Sequence, residues 1–315
     1  MADVLSDVMN TLQLESSVYF RAELSAPFSI EVPEDASVVR FHVASQGSFI
    51  VSVESEPPVE VSAGDLVLIP HGRRHILADA SGPDPSSLSA VLESSSFDGD
   101  GPLVYGGDGA QTTLVCGHVG FSTELTHPFI ETLPAILHLR KSEGPDYSWV
   151  EKMLEFAEHE SRRQPTGWEG VVERLSQILF VYVLRAHMEK DEATSGALGA
   201  LADPQLAAAL QAIHGDPAHE WSLDTLAQRA GMSRSVFVRR FTAATGVAPM
   251  KYLTRWRMSR ANFLLAKTTT SVGDVASSVG YASEAAFNRV FKEHFEAPPA
   301  TFRKQLRARE AAAAG

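Results

Sequence analysis

The 315-residue chain has a single cysteine, Cys116, so no disulfide can close within it. Any thiol chemistry has to involve another molecule, a metal or a small compound. Long hydrophobic runs are missing too. The longest uninterrupted aliphatic and aromatic stretch, ILFVYVL at Ile178 to Leu184, falls far short of the roughly 18 to 20 residues that a membrane span needs. The opening MADVLSDVMNTLQLESS is acidic and lacks the basic-then-apolar order of a secretory leader, so a cytoplasmic protein with no membrane partner is expected. Positive charge is also short overall: the net charge is −12, an average that argues against nucleic acid. What is present is 44% hydrophobic and 21% charged residues, enough apolar material for two ordinary cores and not the composition of a disordered chain.

The average charge conceals a division. From Leu201 onward there are 15 Lys and Arg against 9 Asp and Glu, while residues 1 to 200 carry 12 against 30. A basic C-terminal third is the electrostatic footprint of a phosphate-binding module, and an acidic remainder keeps the rest of the molecule off DNA.

Periodicity divides the chain at similar places. Up to about residue 140, short Val, Ile and Phe alternations (SVVRFHV, SFIVSVE, DLVLIP, TTLVCGHV) are separated by Gly, Pro and Ser clusters, the spacing of an antiparallel barrel or sandwich. Ser81 to Gly109 is expected to be a long surface connection around a short strand near Leu88 to Leu92. From about Tyr147 the period becomes helical. Trp149, Met153, Phe156 and Ala157 are expected on one face of a first helix, and Val171, Leu175, Ile178, Leu179 and Tyr182 on one face of a second. These faces serve either the core of the barrel domain or a helix-mediated dimer. EKDEATSGALGA (Glu189 to Ala200) has the small, polar composition of a linker. The expected organisation is α+β with two domains: a sensor and dimerisation domain at 1–190, a linker at 191–202, and an all-α domain at 203–310.

The C-terminal third contains an internal repeat. Ala227 and Gly231 correspond to Ala276 and Gly280 at an offset of 49, and Ser233, Phe237, Arg239 and Phe241 to Ser283, Phe287, Arg289 and Phe291 at 50. Each copy has the parts of a helix-turn-helix: a small Ala where two helices cross, a Gly able to take positive φ, a Ser placed to cap the next helix, and apolar anchors four residues apart. Burying Phe237, Phe241 and Ala244 turns Ser235, Val238, Arg239 and Thr242 outward. Burying Phe287, Phe291 and Phe295 does the same for Ala285, Asn288, Arg289 and Lys292. Arg and Asn have the bidentate geometry for guanine and adenine edges, and Lys292 suits phosphate. Between the copies, PMKYLTRWRMSRANFLLAK (Pro249 to Lys267) reads as one helix. It would hold both readers rigidly for successive major grooves, roughly 34 Å apart.

GMSRSVFVRRFTAATGVAPMKYL and VGYASEAAFNRVFKEHFEAPPATFR closely resemble the DNA-binding domain of the AraC/XylS family of bacterial transcription regulators. That resemblance implies base contacts from Ser235, Val238 and Arg239 in the first copy and from Glu284, Ala285, Asn288 and Arg289 in the second. Arg234, Ser283 and Lys292 complete the candidate DNA-binding set. It further implies promoter double-stranded DNA and RNA polymerase as partners, a homodimer, and most often activation. Glu296 departs from the family pattern, which often has Gly there.

GDLVLIPHGRRH fits the second cupin motif, G-x5-P-x-G-x2-H, at Gly64, Pro70, Gly72 and His75. Together with MADVLSDVMNTLQL, VYFRAELSAPF, FHVASQG and LVCGHVGF, it makes residues 3 to 190 resemble the cupin-type sensor domains that precede AraC-like modules, including those of regulators responding to reactive chlorine species. The first cupin motif is broken: Arg40 stands seven before Gly47, where a ligating Glu belongs, and only His42 remains. An Fe or Mn dioxygenase site is therefore not expected. Three readings of His42, His75 and Cys116 stay open. They are a hydrogen-bonded core cluster, a tetrahedral Zn site completed by His118, His127 or a ligand, or an effector pocket with a redox-responsive thiol. The chlorine-responsive relatives are expected to have a second cysteine near the N-terminus; Tyr19 to Glu23 (YFRAE) has none, which excludes an intramolecular disulfide switch. His71 is expected to be exposed in the turn and Arg73 and Arg74 to be solvated there; the alternative is a small anionic effector at the barrel mouth, for which these arginines are the nearest fixed donors. The reading is a transcription regulator with a small-molecule or oxidative signal. The rivals are a cupin isomerase or oxygenase fused to a DNA-binding domain, and a constitutive DNA binder whose barrel only dimerises.

Overall fold

The computed structural model describes residues 3–12, 15–95, 97, 101–120, 128–141, 147–189 and 196–313. In chain order these form α1 (Val4–Leu12), β1 (Glu15–Ser25), β2 (Ser29–Val32), β3 (Val38–Gln46), β4 (Ser48–Val53), β5 (Val59–Ser62), β6 (Leu66–Ile69), β7 (His75–Ala78), β8 (Ser86–Ser87), α2 (Leu88–Ser94), β9 (Leu103–Gly106), β10 (Gln111–Gly120), α3 (Pro128–Glu131), β11 (Leu137–Leu139), α4 (Tyr147–Arg163) and α5 (Trp168–Glu189). The all-helical remainder is α6 (Gly196–Ala202), α7 (Pro204–Gly215), α8 (Leu223–Arg229), α9 (Arg234–Thr245), α10 (Pro249–Lys267), α11 (Val272–Ser278), α12 (Glu284–Phe295) and α13 (Pro299–Ala313).

The chain divides into two compact units. One is the barrel. Its sheets run β11-β6-β3-β10-β1-β9 and β5-β4-β7-β2-β8, with antiparallel pairing except where β9 joins β1 and β8 joins β2. Alternation sends one side chain in two inward, so Phe49, Val51 and Val53 of β4 meet Val67 and Ile69 of β6, Leu114 of β10, and Ala22 and Leu24 of β1 in one packed core. The other faces of β3 and β10 are apolar as well, with Phe41, Val43 and Val115 buried, because α5 packs on β1, β10 and β11 and α4 packs on β1 and α5.

Three local expectations give way here. Leu88 to Leu92 is helical: Ser87 caps α2 by accepting from the Ala90 N–H, and Leu88, Val91 and Leu92 have helical rather than alternating spacing. Among the described side chains of α4 the buried ones are Val150 and Ala157, while Trp149 is 63% and Phe156 47% exposed. In α5 the buried stripe is Val172, Ser176, Leu179, Phe180 and Val183, one residue out of register with the expected one, and Ile178 is 52% exposed. A helix that is apolar on several sides leaves its inward face ambiguous in sequence.

The second unit comprises residues 196–313 together with 3–12 and 128–132. The division therefore differs from one boundary at 190. Val4, Leu5 and Val8 of α1 are buried where that helix packs on α7 and α10. Thr132 Oγ1 accepts from the Ala197 N–H at 2.8 Å, and Arg255 pairs with Glu131 at 2.7 Å. The linker expectation also fails in part: residues 196–202 form α6, whose Ala197, Leu198 and Ala200 are buried against its neighbours α3, α7 and α9. Small residues there permit close helix packing, which composition alone cannot tell from a linker.

Within this unit the repeat becomes two helix-turn-helix motifs, α8–α9 and α11–α12. Gly231 and Gly280 take φ of +62° and +84° in the turns, and a Cβ at Gly280 would stand 2.9 Å from the Ala218 carbonyl oxygen. Phe237, Phe241, Phe287 and Phe291 are fully buried, each worth roughly 1.5–3 kcal/mol of transfer from water. Ser283 caps α12 through the Ala286 N–H as expected, whereas Ser233 holds the cap position of α9 without a side-chain cap bond.

Candidate functional site

The helical unit presents two faces of similar chemistry. On α9, Arg234, Ser235 and Arg239 are exposed and Val238 is half-buried; on α12, Glu284, Ala285, Arg289 and Lys292 are exposed, with Ser283 exposed just before the helix. Arg234 pairs with Asp224 at 3.4 Å. Asn288 is half-buried, and its Oδ1 is itself buried, with no hydrogen-bond partner among the described residues. The neighbouring Arg240 faces the other way: it pairs with Asp203 and donates to Gln205 Oε1 at 2.9 Å, which ties α9 to the start of α7. The spacing of Phe237 and Phe241 is the feature that separates Arg239, which is exposed, from Arg240, which is half-buried.

The two faces are joined through Arg257 of α10. Its Nε donates to the Pro217 carbonyl at 2.7 Å and its Nη2 to the His219 carbonyl at 2.9 Å, while its guanidinium lies 5.9 Å from the Tyr281 ring centre. Pro217 and His219 belong to the loop before the first motif, and Tyr281 to the turn of the second. This bridge was not foreseen.

The barrel brings its three candidate residues together. His42 on β3 pairs in register with Cys116 on β10, and His75 opens β7. The geometry fixes where the protons lie. The Arg73 carbonyl can only accept, so His75 Nδ1 donates to it at 2.8 Å. Burial lowers the His75 pKa to about 4, so the ring is neutral and its Nε2 is an acceptor, receiving the His42 Nε2–H at 2.8 Å. His42, also held well below the usual histidine range by burial, then presents a bare Nδ1, and the Cys116 thiol donates to it at 3.1 Å. The result is a line of three neutral hydrogen bonds running one way, from Cys116 to the Arg73 carbonyl.

A line is not a cradle. His42 offers opposite nitrogens to Cys116 and His75, so the three do not converge on one point. Among the described residues no group of three His, Cys, Asp or Glu is placed to hold a metal. Arg40, buried at 7% exposure, donates to the Pro33 carbonyl at 3.2 Å and adds a fixed positive charge that further disfavours protonated His42 and His75. A guanidinium where the cupin carboxylate would stand repels a divalent cation instead of ligating it. In the arrangement seen here His42, His75 and Cys116 form a hydrogen-bonded line and not a set of ligands converging on one point. Of the fourth-ligand candidates, His118 lies opposite Arg40, and His127 falls outside the described residues. Burial pushes the Cys116 thiol up to about 12, the opposite of the low values that make thiols reactive. The expected effector pocket at these residues is a packed core.

The turn residues also differ in part. His71 is half-buried and donates from Nε2 to the Leu133 carbonyl at 2.9 Å, so it is not free in the turn. Arg73 donates to the Glu54 carbonyl and Arg74 pairs with Glu31 at 2.7 Å, both at the surface.

A cupin-like sensing barrel carried in one chain with a paired helix-turn-helix defines a DNA-binding transcription regulator. Residues 3–189 match the family model described as Cupin, and residues 226–305 match that of a helix-turn-helix domain. The chain is 32% identical to a protein of Streptomyces antibioticus described as an AraC-like transcription regulator, over 96% of this chain and 98% of that one. It is 26% identical to the RCS-specific HTH-type transcriptional activator RclR of Escherichia coli K12, over 87% of each. Among solved structures, the DNA-binding domain of AdpA in complex with target DNA is 36% identical, covers 34% of this chain and 96% of that one, and has a TM-score of 0.32. The chain belongs to the AraC family of transcription regulators with an N-terminal cupin domain.

Proposed function

We propose that the protein is a cytoplasmic homodimer that binds promoter DNA through α9 and α12 and changes promoter occupancy, or contact with RNA polymerase, when its barrel unit takes up a small effector. The observation that carries the DNA part is the pair of outward faces, Arg239 on one and Asn288, Arg289 and Lys292 on the other, set on helices bridged by Arg257. Ser235, Val238, Glu284 and Ala285 complete the base-facing set; Arg234, Ser283 and Lys292 serve the backbone. The packed barrel core and buried Arg40 favour a sensing role over catalysis. The protonated, buried Cys116 favours a bound compound over thiol oxidation as the signal. Exposed Trp149, Phe156 and Ile178 on α4 and α5 support a helix-mediated dimer. Transmission rests on α1 and residues 128–132, which belong to the cupin sequence and pack in the helical unit.

Footprinting of the full chain on its own upstream DNA tests this reading. The expected result is two protected major-groove segments about one helical turn, or 10–10.5 base pairs, apart on one DNA face. Protection of a single segment would show that only one motif reads DNA.

A further inference from the structure

The barrel unit contains a cavity of about 160 Å³ outside the barrel, between the outer face of β3 and β10 and the α4–α5 helices. Its floor is Phe41, Val43 and Val115, and its roof is Leu154, Ala157 and Leu179. Interiors pack closely, and an apolar space of this size forgoes contacts that a small side-chain change on α4 or α5 would restore. Its volume is about that known to accept one aromatic ring.

The mouth is charged and unevenly so. Lys141 and Glu151 pair across it at 2.6 Å, and Glu155 stands exposed beside them, two carboxylates to one ammonium. The Lys141 amine is held above its ordinary pKa chiefly by its hydrogen bond to Glu151, with Glu155 adding to the effect, so it stays protonated and committed to its partner. The main chain under the mouth is anchored: the Lys141 N–H donates to Asp65 Oδ1 at 2.8 Å, and His138 meets Asp65 Oδ2 at 3.1 Å. The Lys141 stem crosses Gly64, where a Cβ would stand 2.6 Å from Lys141 Cδ.

We propose that this cavity is the effector site, and that its ligand is a small one-ring or short-chain hydrophobic amine whose protonated nitrogen lies at Glu155 and Glu151. This deepens the sensing reading and rests on it. A ring fills the apolar space between sheet and helices, and the cation balances the surplus carboxylate at the rim. The sensor then lies not at the inward-facing His42, His75 and Cys116 but on the outer face of β3 and β10, the strands that carry His42 and Cys116.

Calorimetric titration of the full chain with benzylamine, benzyl alcohol and benzoate is the test. Benzylamine is expected to bind one to one, about tenfold tighter than the alcohol, with benzoate weakest. Ala157→Leu, which fills the space, should abolish binding of the amine, and Glu155→Gln should remove its advantage over the alcohol. The exposed position of Glu155 keeps the test open if the Ala157 variant fails to fold. Binding that is unchanged in a folded Ala157→Leu protein, equal affinity for amine and benzoate, or no binding of any probe at about 10 mM, far weaker than most specific ligands, overturns the proposal. DNA affinity measured with benzylamine bound separates the two levels. A promoter affinity blind to the bound amine counts against sensing while the site stands, whereas absent binding removes the site and leaves sensing to another part of the unit.

Discussion

The two units use their polar side chains in opposite ways. The barrel buries Arg40, His42, His75 and Cys116 and keeps the three titratable groups neutral, whereas the helical unit exposes Arg239, Arg289 and Lys292. A buried neutral line is part of the fold, so disturbing it costs stability first. An exposed cation on a helix contributes little to stability, so removing it registers only where it meets a partner.

Acid should bring out this contrast most strongly. His75 has a folded-state pKa of about 4 against 6.5 for the free side chain, so the unfolded chain takes up the proton first. The contribution of His75 is expected to be fully present above about pH 6.5 and to be lost as pH falls to 4, by roughly 3 kcal/mol, with His42 acting in the same direction. Amide hydrogen exchange in β3 and β10 at pH 7 and pH 4.5 measures this, after correction for intrinsic rates. Equal protection at both values would show that the histidines are not held neutral.

Next in size are Arg239→Ala and Arg289→Ala. Each is expected to weaken specific promoter binding by about 1–3 kcal/mol while the melting temperature stays in place. Fluorescence anisotropy beside thermal melting reads both quantities. Unchanged affinity in both variants would place the reading faces elsewhere on these helices.

The smallest effect compares the two motifs with each other. α9 ends on Gly246 at φ +73°, and α12 ends on Glu296 at φ +57°. A side chain in the left-handed region costs roughly 1–2 kcal/mol, so Glu296→Gly should stabilise the second motif by about 1 kcal/mol and Gly246→Glu should destabilise the first by a similar amount. Melting that moves both the same way would break this asymmetry.

Legibility followed the same divide. The double helix-turn-helix could be read nearly whole, because Ala, Gly, Ser and Phe recur at spacings that only one supersecondary unit satisfies. The barrel could be read as strands, through alternation and the Gly64, Pro70, Gly72 and His75 motif, and the meeting of His42, His75 and Cys116 followed from strand parity. What escaped was set by partners distant in sequence. The inward face of α5 depended on the sheet beneath it, and Gly196 to Ala202 became a packed helix because α3 and α9 close on it. The cavity over β3 depended on where two helices leave a gap, for which no local pattern exists.

Arg257 sets a phase as well as a brace. With Pro217, His219 and Tyr281 gathered on one guanidinium, Arg257 opposes independent rotation of the two motifs about the axis of α10. Their DNA targets must then keep step with the double helix. Inserting about 5 base pairs between the half-sites carries one of them to the far side of the duplex, out of reach of α9 or α12. On the proposed reading, the protein would respond to spacing as much as to bases, and its promoters would be constrained in the distance between their two elements before any base within them is compared.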